Sequence, residues 1–147
     1  MQPTNPNQFT EKAWEALVRM PDITRQVQQQ QMETEHLMKS LLEQDALTSS
    51  ILNRAEINVQ QWRTRTDDFI KRQPKISGSA NGVYVGRSVD VLLDRAEVER
   101  KSFGDDFISI EHLLLAYASS CSETAQARLK DIKRPRQRPT GRSDGQT

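Results

Sequence analysis

The sequence predicts an all-α fold of two pseudo-symmetric helical repeats, the second truncated and followed by a disordered basic tail. Two observations carry this. Apolar residues recur at helical spacing in segment after segment, and no segment alternates with strand period for long. The chain also repeats itself: residues 107–118, FISIEHLLLAYA, match residues 31–42, QMETEHLMKSLL, at an offset of 76 residues. Each copy sets a Glu-His-Leu triplet, Glu35-His36-Leu37 and Glu111-His112-Leu113, ahead of an apolar run. The offset holds upstream without a gap, carrying Phe9 onto Val85, Ala13 onto Val89, Leu17 onto Leu93 and Arg19 onto Arg95.

Thr10 is an N-cap for a first helix whose stripe is Ala13, Ala16, Leu17 and Met20. Pro21 is expected to interrupt it, and Asp22 to cap a short second helix running through the glutamines. Gln28 to Gln31 reads as solvated helix surface rather than an aggregating tract. A third helix from about Thr34 buries Leu37, Met38, Leu41 and Leu42, and a fourth from about Thr48 buries Ile51, Leu52 and Ala55. Asn58, with Gln61 three residues on, opens a fifth helix with the stripe Val59, Trp62, Thr66, Phe69 and Ile70, which Pro74 ends.

Residues 74–86 are rich in Gly, Ser and Pro and read as a linker between repeat one (1–73) and a partial repeat two (87–120). A sixth helix carries Val89, Leu92, Leu93, Ala96 and Phe103 and stops at Gly104, with Asp105-Asp106 in the turn. Ser109 caps a seventh, burying Ile110, Leu113, Leu114 and Tyr117. Beyond Ala118 the parallel fails: Ile51, Leu52, Ile57, Val59 and Trp62 fall opposite Ala127, Arg128, Lys133, Pro135 and Arg138. No closing helix is expected there, and 121–147 reads as a variable tail, disordered from about 133.

At 147 residues the chain has room for one domain and a tail. The net charge of +1 hides a division. From Arg128 onward seven Lys or Arg stand against two Asp, a surplus of +5, so the first 127 residues sum to −4. One cysteine, Cys121, excludes an internal disulfide and fits a reducing compartment. Residues 1–8 hold no apolar signal core, and the longest apolar run, Leu113 to Ala118, is far short of a membrane span. The expected location is the cytoplasm, with no membrane association.

FTEKAWEAL, ETEHLMKSLLEQ, QPKISG, GRSVDVLLDRAE and FGDDFISIEHLLLAYA together resemble the amino-terminal domain of the Clp/Hsp100 ATPases, the ClpB disaggregases most of all, over residues 1 to about 118. The resemblance implies two packed pseudo-symmetric helical units. It also implies a mobile, non-catalytic module that recognises unfolded or aggregated polypeptide in protein quality control. Full-length family members continue into an ATPase ring with a GxxxxGK[ST] phosphate loop; no glycine here precedes lysine in that pattern, so no cofactor is expected. The alternatives are an accessory subunit docking on a Clp ATPase or protease ring, and a truncated remnant without function.

By position the resemblance assigns polypeptide handling to Thr10, Asp105 and Glu111. Each also has a structural role, as N-cap, turn former and first-turn acid. Leu92, Leu93 and Leu113 are candidates for an apolar groove floor, against the plainer reading that a helical stripe is core. The Glu-His pairs do not suggest metal or catalysis: two His and one Cys cannot furnish a zinc site, and adjacent helical residues do not face each other. The plain reading has each Glu meeting the helix dipole and each His packing between the repeats. The basic tail, Arg128 to Arg142, suits phosphate contacts, yet no aromatic is interleaved to stack on bases, and nucleic acid is not the expected partner.

Overall fold

The computed structural model describes residues 5–44, 46–76 and 82–133. The order is α1 (Glu11–Gln26), β1 (Gln31–Met32), α2 (Thr34–Gln44), α3 (Ala46–Arg54), α4 (Val59–Arg72), β2 (Tyr84–Val85), α5 (Arg87–Phe103), α6 (Ile110–Ala118) and α7 (Glu123–Lys133). The expected stops and starts hold locally. Thr10 Oγ1 accepts from the Ala13 N–H, Asn58 Oδ1 accepts from the Gln61 N–H, and Gly104 closes α5 with a left-handed φ of 71°. α1 packs on α2, α2 on α4, α5 on α6, and α6 on α7, around one continuous core. All of α6 except Glu111 is buried, the mark of a helix enclosed by its neighbours.

The duplication is visible in the backbone. Phe9 bridges Ile108, and Met32 pairs with Val85, both in parallel. The 76-residue offset turns the first pair into the second with the units exchanged, so each unit supplies one half of both contacts, the pattern of a two-fold interface. The Thr10 N–H donates to the Ile108 carbonyl (2.9 Å), and the Gly86 N–H to that of Met32 (2.8 Å). A Cβ at residue 86 would stand 2.7 Å from the Met32 oxygen, which explains glycine there.

Both histidines are wholly buried and repeat one arrangement. His36 Nδ1 accepts from the Glu33 N–H and His112 Nδ1 from the Ser109 N–H, each at 2.8 Å. Each ring therefore carries its hydrogen on Nε2 and donates it backwards, His36 to Gln29 Oε1 (2.7 Å) and His112 to Asp105 Oδ2 (2.8 Å). The expectation that the histidines merely pack between the repeats is corrected: each ring satisfies a backbone donor at the start of its own helix and ties down the preceding loop.

Other expectations change as well. Pro21 does not break α1, which runs on through it; Ile23 and Thr24, buried one turn beyond Met20, offset the roughly 3 kcal/mol that an interior proline costs. The glutamine run is not helix surface. α1 ends at Gln26, Gln28 has a φ of 61°, and Gln29 is buried, its Nε2 donating to the Ile70 carbonyl at 2.7 Å. Within the expected linker, Tyr84–Val85 forms β2.

The largest correction concerns the C-terminal side. A closing helix exists: α7 buries Ala125 and Leu129 and half-buries Ile132, extending the second unit past the boundary expected at 120. Ser122 Oγ accepts from the Ala125 N–H at 3.1 Å, and Arg128 Nη1 donates to the Glu56 carbonyl at 2.7 Å, clasping α7 to the first unit. The second unit is still the shorter, with three helices against four among the described residues. Residues 134–147, where the disordered tail was expected, lie outside the described residues.

Leu129→Ala should destabilise the domain by about 2–5 kcal/mol in urea unfolding; a change below about 0.5 kcal/mol would mean that α7 contributes nothing to the core. Burial lowers the pKa of His36 and of His112 from the ordinary 6.5. The unfolded chain then binds the extra protons, so stability should be complete above pH 6.5 and decline as pH falls from there towards 5. Urea midpoints measured across that range should fall, and less steeply in His112→Gln.

Candidate functional site

The α5–α6 loop is built around Asp105. Gly104 turns the chain, the Asp105 N–H donates to the Arg100 carbonyl (3.0 Å), and Arg100 Nη1 returns a bond to the Asp105 carbonyl (2.8 Å). Arg100 is itself fixed by a two-pronged pair with Glu97 at 2.9 and 2.7 Å. The Asp105 carboxylate receives His112 Nε2 and, from the end of α7, Lys133 Nζ, both at 2.8 Å to Oδ2. Lys133 also stands over the Phe103 ring, 5.5 Å from its centroid. Burial pulls the Asp105 carboxyl upward, but the hydrogen bonds from Lys133 and His112 outweigh it and leave the group below the ordinary carboxylate range. Asp105 is therefore half-buried and partnered, not the freely exposed turn residue that the sequence suggests.

Thr10 sits beside this loop, since its backbone bonds Ile108, and Glu111 follows in the first turn of α6, half-buried. The structure thus brings Thr10 and Glu111 to the two sides of one backbone bridge, with Asp105 three residues upstream of it. Leu92, Leu93 and Leu113 behave differently. Leu93 and Leu113 lie inside the core and, as placed, offer nothing to a groove floor; Leu92 is buried too but reaches the wall of a cavity between α5 and α6.

An apolar groove does exist, elsewhere. A cavity of about 300 Å³ is lined by Trp14, Leu17, Val18 and Pro21 of α1 and by Met32, Val85 and Val89 across the inter-unit strands. Val18 is 50% exposed, and Tyr84, next to Val85 on β2, is 54% exposed. Trp14 follows Thr10 by one helical turn and packs its ring 5.6 Å from that of Phe9, so the groove begins where the Thr10 bridge ends. Sequence reasoning missed these residues. The usable signals were Val18, apolar but off the Ala13–Met20 stripe, and Tyr84-Val85, the apolar pair in a polar segment.

No group of three or more His, Cys, Asp or Glu able to hold a metal is found among the described residues. Burial pushes the Cys121 thiol up, leaving little thiolate at neutral pH. No helix among the described residues is long and apolar enough to cross a membrane.

Comparison with known proteins agrees with this architecture. Residues 8–132 match the Clp repeat (R) N-terminal domain. The chaperone protein ClpB 2 of a Nostoc species is 65% identical over 117 residues, which is 80% of this chain and 13% of that protein. The ClpB of Leptolyngbya boryana is 58% identical over 135 residues, 92% of this chain and 15% of the relative. The chain therefore spans only about an eighth to a seventh of the length of these relatives. Among solved structures, the Hsp104 N-terminal domain from Candida albicans shares the fold with a TM-score of 0.71 at 13% identity, over 86% of this chain and 91% of that one. The N-terminal domain of the ClpV1 ATPase from E. coli gives 0.68 at 18% identity, over 85% and 83%. With the family match covering most of its length and both units present in order, the chain belongs to the Clp repeat N-terminal domain family.

Proposed function

We propose that this domain is a non-catalytic recognition module of the chaperone system that binds extended, apolar-rich segments of unfolded or aggregated polypeptide, serving protein quality control under stress. The observation that carries the reading is the apolar groove of Leu17, Val18, Pro21, Met32, Val85 and Val89, open to solvent at the junction of the two units. A groove of this size takes a few side chains at a time and reads apolarity rather than sequence. Its contact area falls in the range of weak, transient encounters, below about 1,200 Å².

Thr10 starts the helical turn that carries Trp14 at one end of this groove, and its N–H bonds the Ile108 carbonyl. On this reading the Asp105 and Glu111 carboxylates, three residues to either side of Ile108, favour clients carrying basic residues beside apolar ones, a basic client side chain taking the place of Lys133 on Asp105. The names of the relatives, chaperone proteins throughout, support the same reading. Docking on a Clp ATPase or protease ring is the competing function, and the nature of the ligand separates the two.

Fluorescence anisotropy with labelled, reduced and carboxymethylated α-lactalbumin tests the proposal. Val18→Asp should weaken binding tenfold or more without altering the unfolding midpoint, because Val18 is exposed and outside the core. Unchanged affinity in Val18→Asp would remove the groove from client binding. Asp105→Asn separates charge from structure: its amide oxygen still accepts from His112, so the helix start is kept while the negative charge is lost. Affinity for a lysine-rich unfolded client should fall several-fold in this variant; a loss of stability with no loss of affinity would make Asp105 purely structural.

A further inference from the structure

The duplication supplies its own control for a second cavity. In the first unit the seam between α1 and α2 is closed by side chains of α2. Ser40 Oγ donates to the Ala16 carbonyl at 2.8 Å, and Gln44 Nε2 donates to the Lys12 carbonyl at 3.2 Å and lies 3.4 Å from Glu15 Oε1. At the positions 76 residues later the second unit has Ala116 for Ser40 and Ser120 for Gln44, with Val91 for Glu15 and Arg87 for Glu11. Ala116 has nothing to donate, and Ser120 Oγ turns back to the Tyr117 carbonyl of its own helix at 2.9 Å. The seam between α5 and α6 is therefore open, with a cavity of about 320 Å³.

Its apolar wall is Val91, Leu92 and Ala116, and its charged lining residues are Arg87 and Arg95, both basic and both exposed. Arg95 is steered by a bond of 3.1 Å from Nη1 to Ser119 Oγ. The two arginines are eight residues apart on α5, about 12 Å along the helix axis, the reach of three or four extended residues. The equivalent rim in the first unit carries Glu11 and Arg19, without this uniform charge. The cavity shares no lining residue with the apolar groove of α1.

We propose that the α5–α6 seam is a second docking site, for a peptide segment of a partner protein that sets a small aliphatic side chain between two carboxylates. The aliphatic group packs on Val91, Leu92 and Ala116, and the carboxylates pair with Arg87 and Arg95, whose planar guanidinium groups suit two-pronged bonding to carboxylate. Such a site selects acidic segments, whereas the α1 groove is lined by apolar side chains alone, so the two sites sort different ligands.

The test uses the full chain and two twelve-residue peptides with a Gly-Ser flank, one centred on Glu-Val-Ala-Glu and one on Lys-Val-Ala-Lys, followed by amide NMR titration. The acidic peptide should shift the amides of Val91, Leu92, Ala116 and Ser120, and the basic peptide should leave them unmoved. Ala116→Ser with Ser120→Gln copies the closure of the first unit and should weaken the acidic peptide tenfold or more. Arg95→Glu, an exposed change that leaves the core intact, should do the same. Equal binding of both peptides at the seam, no shifts there, or undiminished affinity in Arg95→Glu would overturn the proposal.

Discussion

Two short backbone contacts, Phe9 with Ile108 and Met32 with Val85, fix the relation of the two units, and most other features follow from them. Each contact inserts the loop before one unit's second helix against the segment that leads into the other unit's first helix. The starts of α1, α2, α5 and α6 are thereby gathered at one junction. The buried histidines hold the loops in the required shape, each accepting a backbone N–H at the mouth of its helix and donating to a side chain earlier in the loop. With the backbone donors satisfied in this way, a helix as apolar as α6 can sit at the centre of the core without stranding its first turn.

What distinguishes the units is as informative as what they share. Gln29 and Asp105 occupy the same place, yet the first is neutral, buried and turned to the Ile70 carbonyl, while the second is charged and half-buried, and draws in Lys133 from α7. The second unit thus places a carboxylate at the junction where the first has only an amide. Thr10 and Gly86 are equivalent as well, but only Thr10 has space for a side chain, because Gly86 is pressed against the Met32 carbonyl. Departures from symmetry of this kind concentrate side-chain chemistry on one side of an otherwise repeated scaffold. The apolar groove lies against the other contact, walled by both Met32 and Val85 and reaching along α1 to Trp14.

Helices α1 to α6 were legible in the sequence because each carries an apolar stripe, most with a recognisable start or stop. The doubled architecture was legible from the Glu-His-Leu triplets and the ungapped 76-residue register upstream of them. The closing helix was lost because the 76-residue register, sound as far as Ala118, slips by one position afterwards: Leu129 is buried, and the expected equivalent of Leu52 is Arg128. Read without that register, Ser122 followed by Ala125, Leu129 and Ile132 is an ordinary capped amphipathic helix. The strand pair β1–β2 and the Phe9–Ile108 bridge were beyond sequence reasoning, since contacts of one or two residues have no period to detect. The groove followed them out of view, being walled by residues that only those pairs bring together. Leu93 and Leu113 show the converse: a stripe read as a possible binding floor was core, as stripes usually are.

The central claim is that unfolded polypeptide enters the groove formed where the two units meet. Amide NMR spectra of the chain with and without a permanently unfolded polypeptide test it most directly. The account predicts chemical-shift changes concentrated at Trp14, Val18, Tyr84 and Val85 and extending to Thr10 and the Asp105 loop, with the core of α6 unmoved. Shifts confined to surfaces remote from that junction, or a spectrum indifferent to the polypeptide, would contradict it.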